Sequence, residues 1–383
     1  MQTFPESSGS SSRSWKTTAG PSPLPQLRGW ILLVCFAMVL LILVGTWQVA
    51  RRARTTDSLG NLSGGPAPPG IMGQEEVGYR LLRTITLPSA ETVSFALSPD
   101  GRIYVACHKE LLVLESDGRL KRKEVLEHRP EALAVGPVFH RYPGRVYIAA
   151  RDRIMVYDSE ANYLQTWELK IDPISLVAIA AGEETIYAID AAGGQVLRIG
   201  LEGQLLGTFA GKDHDRNWPG LILPGGRAGI AVAKDGTVFV ANPGLRRVEV
   251  YTSDGQFQYF WGKEGAACDA FFGCCNPEKI ALLSDGRVVT AEKGICRVKV
   301  HSAFGDFLSL VATSRELGLL QMPTTVPAAL AETVLLEVAV DSKDHVFVLA
   351  PERPFIQVFA PKLDLAEPEE EEEERTSAPI SPM

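Results

Sequence analysis

The sequence predicts an all-β fold, a six-bladed β-propeller with four-stranded blades, preceded by one N-terminal transmembrane helix. A pattern of short alternating strands recurs six times between Val93 and Pro361, which is typical of blade repeats. Gly29–Ala50 is a long, mostly apolar run without a charged residue. The 383 residues include 35 glycines and 25 prolines, which suits a fold with many turns.

These patterns divide the chain into five segments. We expect a disordered tail at 1–28, the transmembrane helix at 29–50, a linker at 51–77, the propeller at 78–362 and an acidic disordered tail at 363–383. The tails and the linker are rich in Ser, Pro, Gly or Glu, and such segments have too little apolar surface to bury.

The predicted transmembrane helix has the length and the ends of a membrane span. At about 1.5 Å per residue, Gly29–Ala50 reaches across a hydrocarbon core of roughly 30 Å. Trp30 and Trp47 lie near its two ends, where aromatic rings prefer the membrane interface. The alternatives are a buried core helix and a cleaved signal peptide, whose apolar region is shorter and ends at a small-residue site. We predict an uncleaved signal-anchor and a single-pass membrane protein.

The charges that flank this helix and its position in the chain favour opposite orientations in the membrane. Arg51, Arg52 and Arg54 follow the span closely, whereas only Arg28 adjoins its start, which by the positive-inside rule places the propeller in the cytoplasm. An N-terminal anchor also resembles an unprocessed export signal, which favours the other side. We predict that the propeller lies on the extracytoplasmic side.

Each repeat has an aromatic or aliphatic residue at an equivalent place in its second strand. These positions are Tyr104, Tyr147, Tyr187, Phe239, Val289 and Phe347. They follow one another at intervals of 40 to 58 residues, which suits four-stranded blades. Asp-Gly pairs such as Asp100-Gly101 and Asp117-Gly118 supply the positive φ that tight hairpins need.

The sixth repeat ends after its third strand and leaves a sheet edge that needs a partner. A strand-like segment, Tyr79–Leu87, precedes the first repeat. We predict that it supplies the fourth strand of the last blade and closes the ring.

Two segments carry a resemblance to a known family. VFVANPGLRRVEVY (Val238–Tyr251) and VVTAEKGICRVKVH (Val288–His301) show an aromatic or aliphatic pair, an acidic or amide residue, a Gly-containing loop, an Arg and an alternating strand. This pattern resembles the NHL-repeat propellers. The resemblance implies a six-bladed ring that acts mostly as a binding platform, although a few six-bladed relatives are lyases or metal-dependent hydrolases.

Asp190, Asn242 and Glu292 occupy the acidic or amide position in repeats three to five. In a propeller such side chains can face the central channel, where three oxygen ligands suit a metal ion such as Ca²⁺. The resemblance to NHL repeats implies a structural alternative, in which this residue pairs with the following arginine and fixes a loop. Those arginines are Arg247 and Arg297.

The cysteines form the second group of candidates. Cys268, Cys274 and Cys275 fall in one loop, Cys296 lies in the fifth repeat and Cys107 in the first. Disulfides, packed thiols and a metal or redox site all remain open for them. We expect the adjacent pair Cys274-Cys275 not to bridge to itself, because such a bond is strained.

The functional prediction is a membrane-anchored platform that binds a protein, peptide or ligand at the membrane surface. The alternative is a metal-dependent propeller enzyme or redox accessory protein that uses the cysteine loop or the three polar residues. The formal net charge is −8, carried largely by Glu367 and Glu369–Glu374, and no basic stripe is present, so we expect no nucleic-acid partner. The sequence contains no Walker loop, H-E-x-x-H motif or G-x-S-x-G elbow.

Overall fold

The structure, a computed structural model, describes residues 77–89, 92–293, 295–319, 336–350 and 353–362. The predicted transmembrane helix, the linker up to residue 76 and the acidic tail lie outside these residues. Within the described ranges, no helix is long and apolar enough to cross a membrane.

The described residues form six four-stranded sheets, as predicted. The first strand of the chain is β1 (Tyr79–Thr86). Blade 1 contains β2 (Thr92–Leu97), β3 (Ile103–Cys107), β4 (Glu110–Leu114) and β5 (Leu120–Val125). Blade 2 contains β6 (Ala132–Val135), β7 (Val146–Ala150), β8 (Arg153–Tyr157) and β9 (Tyr163–Glu168). Blade 3 contains β10 (Leu176–Ala181), β11 (Thr185–Asp190), β12 (Gln195–Gly200) and β13 (Leu205–Phe209).

The remaining blades repeat this order. Blade 4 contains β14 (Ile230–Val232), β15 (Val238–Asn242), β16 (Arg247–Tyr251) and β17 (Phe257–Trp261), with a 3₁₀ turn at Pro243–Leu245. Blade 5 contains β18 (Lys279–Leu282), β19 (Val288–Glu292), β20 (Arg297–His301) and β21 (Phe307–Ala312). Blade 6 contains β22 (Glu337–Val340), β23 (Val346–Leu349) and β24 (Phe355–Pro361).

The first strand of the chain completes the last blade. β1 pairs antiparallel with the outer side of β24, in a register that places Tyr79 opposite Pro361 and Thr86 opposite Phe355. This confirms the predicted ring closure. The pairing covers an edge of β24 that would otherwise be open to a second chain.

The blades pack face to face, so the second and third strands of each blade are buried on both sides. Ile103 and Tyr104, neighbours on opposite faces of β3, are both completely buried. Hydroxyl groups also connect neighbouring blades: Tyr104 donates to the carbonyl of Ser159 at 2.5 Å, and Tyr187 donates to that of Ser253 at 2.8 Å. The tyrosines of repeats one and three therefore join blades 1 and 3 to the blades that follow them.

Glycine is required by both conformation and space at the Asp-Gly turns between third and fourth strands. Gly118 has φ +91°, and a Cβ there would come within 2.6 Å of the Ile85 side chain in the neighbouring blade. Gly255 has φ +92°, and a Cβ there would meet Phe209 at 2.8 Å. The positive φ predicted for these turns is confirmed, and it lets them approach an adjacent blade closely.

The antiparallel order of each blade defines two ends of the ring. The first strands β2, β6, β10, β14, β18 and β22 contact one another around the ring. The links between blades and the turns between second and third strands consequently gather at the end where these first strands begin. We call this end the loop face, and its longest fully described segments are residues 210–229 and 262–278.

Candidate functional site

Three of the predicted site residues end second strands at the loop face. Asp190 ends β11, Asn242 ends β15 and Glu292 ends β19, and each side chain is completely buried. Buried polar groups need hydrogen-bond partners, so the partners of these three residues show what they do.

Asp190 binds the backbone of two loops. Its Oδ1 accepts N–H groups from Ser175 at 2.9 Å and from Ala192 at 3.0 Å, and its Oδ2 accepts from Gly193 at 3.1 Å. The carboxylate thus joins the link that enters blade 3 to the turn between β11 and β12.

Asn242 has the same role in blade 4. Its Oδ1 accepts the N–H of Ile222 at 2.9 Å, and its Nδ2 donates to the carbonyl of Gly220 at 3.1 Å. The Nδ2 group also donates to Oε1 of Glu249 at 2.8 Å. Arg247 donates to that same oxygen at 2.8 and 2.6 Å, so Asn242 and Arg247 are joined through Glu249.

Glu292 is the centre of a larger ionic cluster in blade 5. Its Oε1 accepts from Lys299 Nζ at 2.7 Å and from Arg297 Nε at 3.2 Å. Its Oε2 accepts from Arg297 Nη2 at 3.2 Å and from the N–H of Phe272 at 2.9 Å. Glu292 and Arg297 therefore pair directly, and the pair also binds the cysteine loop.

Lys299 and Arg297 donate hydrogen bonds to backbone carbonyls of the cysteine loop, the loop that contains Cys268, Cys274 and Cys275. Lys299 donates to the carbonyls of Cys268 at 3.0 Å and Ala270 at 2.8 Å. Arg297 donates to those of Ala266 at 2.9 Å and Ala270 at 3.2 Å. Burial lowers the pKa of Lys299, while the carboxylate of Glu292 opposes that shift. Two cations and one carboxylate therefore fix residues 266–272 on the blade.

The loop also has a packed aromatic base. Phe271 is buried, and its ring lies 4.5 Å from Lys299 Nζ and 5.8 Å from the ring of His301. Burial, with a contribution from Lys299, lowers the pKa of His301 to about 3. Phe272, the next residue, instead presents its ring to solvent and is 41% exposed.

The five candidate cysteines do not converge on one site. Cys107 belongs to the apolar core between blades 6 and 1, and Cys296 to the core between blades 5 and 6. Burial raises the pKa of Cys296 to about 11. The described part of the chain contains no disulfide, so the disulfide alternative is not supported there.

Within the loop, Cys268 is buried and its Sγ lies 3.8 Å from Arg297 Nη1. Cys274 is exposed and Cys275 is buried, yet their sulfurs are 2.6 Å apart. Among the described residues, no three His, Cys, Asp or Glu side chains are arranged to hold a metal ion.

Sequence analysis missed three residues of this site. Glu249, Lys299 and His301 are all completely or almost completely buried. For Glu249 and Lys299 the signal was available, because a charged residue between two valines in a third strand faces a neighbouring blade and not water.

The chain is similar to several solved structures, at low sequence identity. No protein-family model and no curated protein matches the chain. A catalytically inactive virginiamycin B lyase from Staphylococcus aureus with quinupristin is 13% identical, with TM-score 0.49 over 72% of this chain and 82% of that chain. A streptogramin B lyase is 10% identical, with TM-score 0.48 over 74% and 98%. U3-55K is 14% identical, with TM-score 0.47 over 72% and 78%.

The strand topology defines the class of this chain as a six-bladed β-propeller with four-stranded blades. Its candidate site is the loop face, where buried polar side chains hold two long loops in fixed positions.

Proposed function

We propose that this chain is a membrane-anchored, NHL-like propeller that binds a protein or peptide partner through its loop face. The single observation behind the proposal is that Phe272 has an exposed ring on a backbone held in place by a buried carboxylate. Its ring is exposed, while its N–H is bound by the buried carboxylate of Glu292. Aromatic residues including Phe are enriched at protein interfaces, and a preorganised loop binds at a lower entropic cost.

A second apolar side chain on the loop face, that of Ile222, also lies on a backbone held by hydrogen bonds. Ile222 is 38% exposed, its N–H is bound by Asn242, and its carbonyl accepts from the N–H of Gly244. The polar residues of the site therefore hold loops, and the loops present apolar side chains. This arrangement favours recognition of a partner surface, since loops on a rigid scaffold commonly carry binding residues.

Membrane attachment completes the proposal. The charge-free run Gly29–Ala50 would tether the propeller, and the linker that follows would let the loop face reach a partner near the bilayer. We place the propeller on the extracytoplasmic side.

Site-specific photo-crosslinking in native membranes tests the proposal. A photoreactive residue would replace Phe272 or Ile222 on the loop face, or Val138 on the opposite face, in the full-length chain. Val138 is 74% exposed in the turn between β6 and β7, so it controls for exposure. We expect the two loop-face positions to give the same discrete adduct and Val138 to give none. Identical adducts from all three positions, or none from Phe272 and Ile222, would contradict the proposal.

A further inference from the structure

The sulfurs of Cys274 and Cys275 lie in contact at the rim of the loop face. Adjacent side chains in an extended segment point to opposite sides, so this approach requires a bent backbone. Gly273, with φ +75°, supplies part of that bend. The two sulfurs are 2.6 Å apart.

Asn276 fixes the shape of this bend. Its Nδ2 donates to the carbonyl of Phe272 at 2.7 Å and to that of Lys293 at 3.2 Å, while its Oδ1 accepts the N–H of Lys293 at 2.9 Å. One side chain thus joins both ends of the cysteine pair to the turn that follows β19. The contact between the sulfurs is consequently held by the fold.

The two thiols differ in access. Cys274 is exposed, whereas Cys275 is buried and its pKa is raised to about 11 by burial and by its hydrogen bond with Cys274. Reaction with an oxidant in solution requires an accessible thiol, so Cys274 is placed to react first, with Cys275 held protonated beside it.

We propose that Cys274 and Cys275 are a redox-active vicinal dithiol, oxidised by a small-molecule disulfide such as oxidised glutathione. The Cys274 thiolate attacks one sulfur of the oxidant, forms a mixed disulfide and releases one reduced thiol. Cys275 then loses its proton and attacks the Cys274 sulfur, which closes the protein disulfide and releases the second reduced thiol. The two protein thiols are oxidised, one disulfide is reduced to two thiols, and the two protons pass to the released molecules.

The closed bond would be easy to reduce. Consecutive Cα atoms lie about 3.8 Å apart, which is shorter than the usual disulfide range of about 4.4–6.8 Å. A disulfide between neighbours is therefore strained, and strained, accessible disulfides are the reversible ones. The pair thus acts as a switch at the rim of the loop face and not as a structural staple.

Mass spectrometry of the full-length chain in detergent tests the proposal. After treatment with oxidised glutathione and then unfolding in the presence of a maleimide, we expect the peptide containing both cysteines to be two hydrogens lighter and to carry neither of the two labels that the untreated chain takes up. Reduction should restore both. Cys275→Ser should instead retain one glutathione on Cys274, because the resolving thiol is missing. Cys274→Ser should take up none, because Cys275 is buried.

Cys268→Ser is the matched control in the same loop and should leave ring formation unchanged. The Cys275→Ser result is a gain of an adduct, so it cannot be mimicked by loss of folding. The proposal is wrong if the unaltered chain retains glutathione on Cys274 as the Cys275→Ser variant does. It is equally wrong if Cys274 pairs with Cys268.

Discussion

Glu249 in β16 and Lys299 in β20 occupy the same position in neighbouring blades and carry opposite charges. Each is completely buried, and each is two residues after the arginine that begins its strand. In blade 4 the carboxylate of Glu249 therefore lies on the third strand and accepts a hydrogen bond from the Asn242 amide on the second strand. In blade 5 the carboxylate of Glu292 lies on the second strand and forms an ion pair with Lys299 on the third strand.

The first prediction concerns the charge balance under the cysteine loop. Glu292→Gln would leave Arg297 and Lys299 buried without their carboxylate, which typically costs about 3–5 kcal/mol of unfolding free energy. Denaturant unfolding of the full chain should show this loss. The control Glu264→Gln removes an exposed partner of Arg246 and should cost no more than about 1 kcal/mol. Equal losses in both variants would contradict a special role for Glu292.

A second prediction follows from His301. Burial lowers its pKa from 6.5 to about 3, so between these pH values the unfolded chain binds a proton that the folded chain does not. The unfolding free energy should consequently fall as the pH decreases through this window, by up to ~1.4 kcal/mol per unit of pH, with no contribution above it.

His301→Gln should flatten this part of the stability profile when unfolding is measured from pH 7 to pH 4. His108→Gln, which removes a solvent-exposed imidazole, is the matched control. If the slope persists in His301→Gln, other groups cause the acid sensitivity.

Ring closure gives a third prediction. Ile85 is buried between blades 6 and 1, and Ile85→Ala should cost about 2–5 kcal/mol of unfolding free energy. Leu82 lies on the same strand but is 41% exposed, so Leu82→Ala should change the value by less than about 0.5 kcal/mol. Thermal unfolding should show a single transition that moves in the first variant only. A separate early transition would mean that β1 opens without the rest of the ring.

The membrane anchor is the fourth prediction. Deletion of residues 1–54 removes the charge-free run, which we expect to be the only segment that requires lipid. The shortened chain should leave the membrane fraction and retain the far-ultraviolet circular dichroism of a β protein. If it still sediments with membranes after carbonate washing, the anchor lies elsewhere.

The fold could be predicted because its signal is repeated. Six copies of one strand pattern, with Asp-Gly at the turns, identify blades even when single copies are weak. The closure by Tyr79–Leu87 was equally predictable, because the sixth repeat was one strand short.

The site was less predictable, because its interactions join residues that are distant in sequence. Position alone identified Asp190, Asn242 and Glu292, but not that their oxygens bind loop N–H groups. Alternation in β20 places Lys299 on one face of a strand, and the stacking of blades on both faces buries it. Cysteine spacing likewise could not reveal that Cys274 and Cys275 touch, since that contact depends on how Asn276 shapes the loop.

The pairing of β1 with β24 also has a mechanical meaning. The strand that seals the ring is the one that continues towards the N-terminus, so any pull on the chain before Tyr79 is transmitted along β1. A pull along the strand loads the antiparallel ladder in shear, so that several hydrogen bonds resist it together. Such tension on the proposed tether would be borne by the pairing of β1 with β24 and by Ile85, whose side chain is buried between two blades.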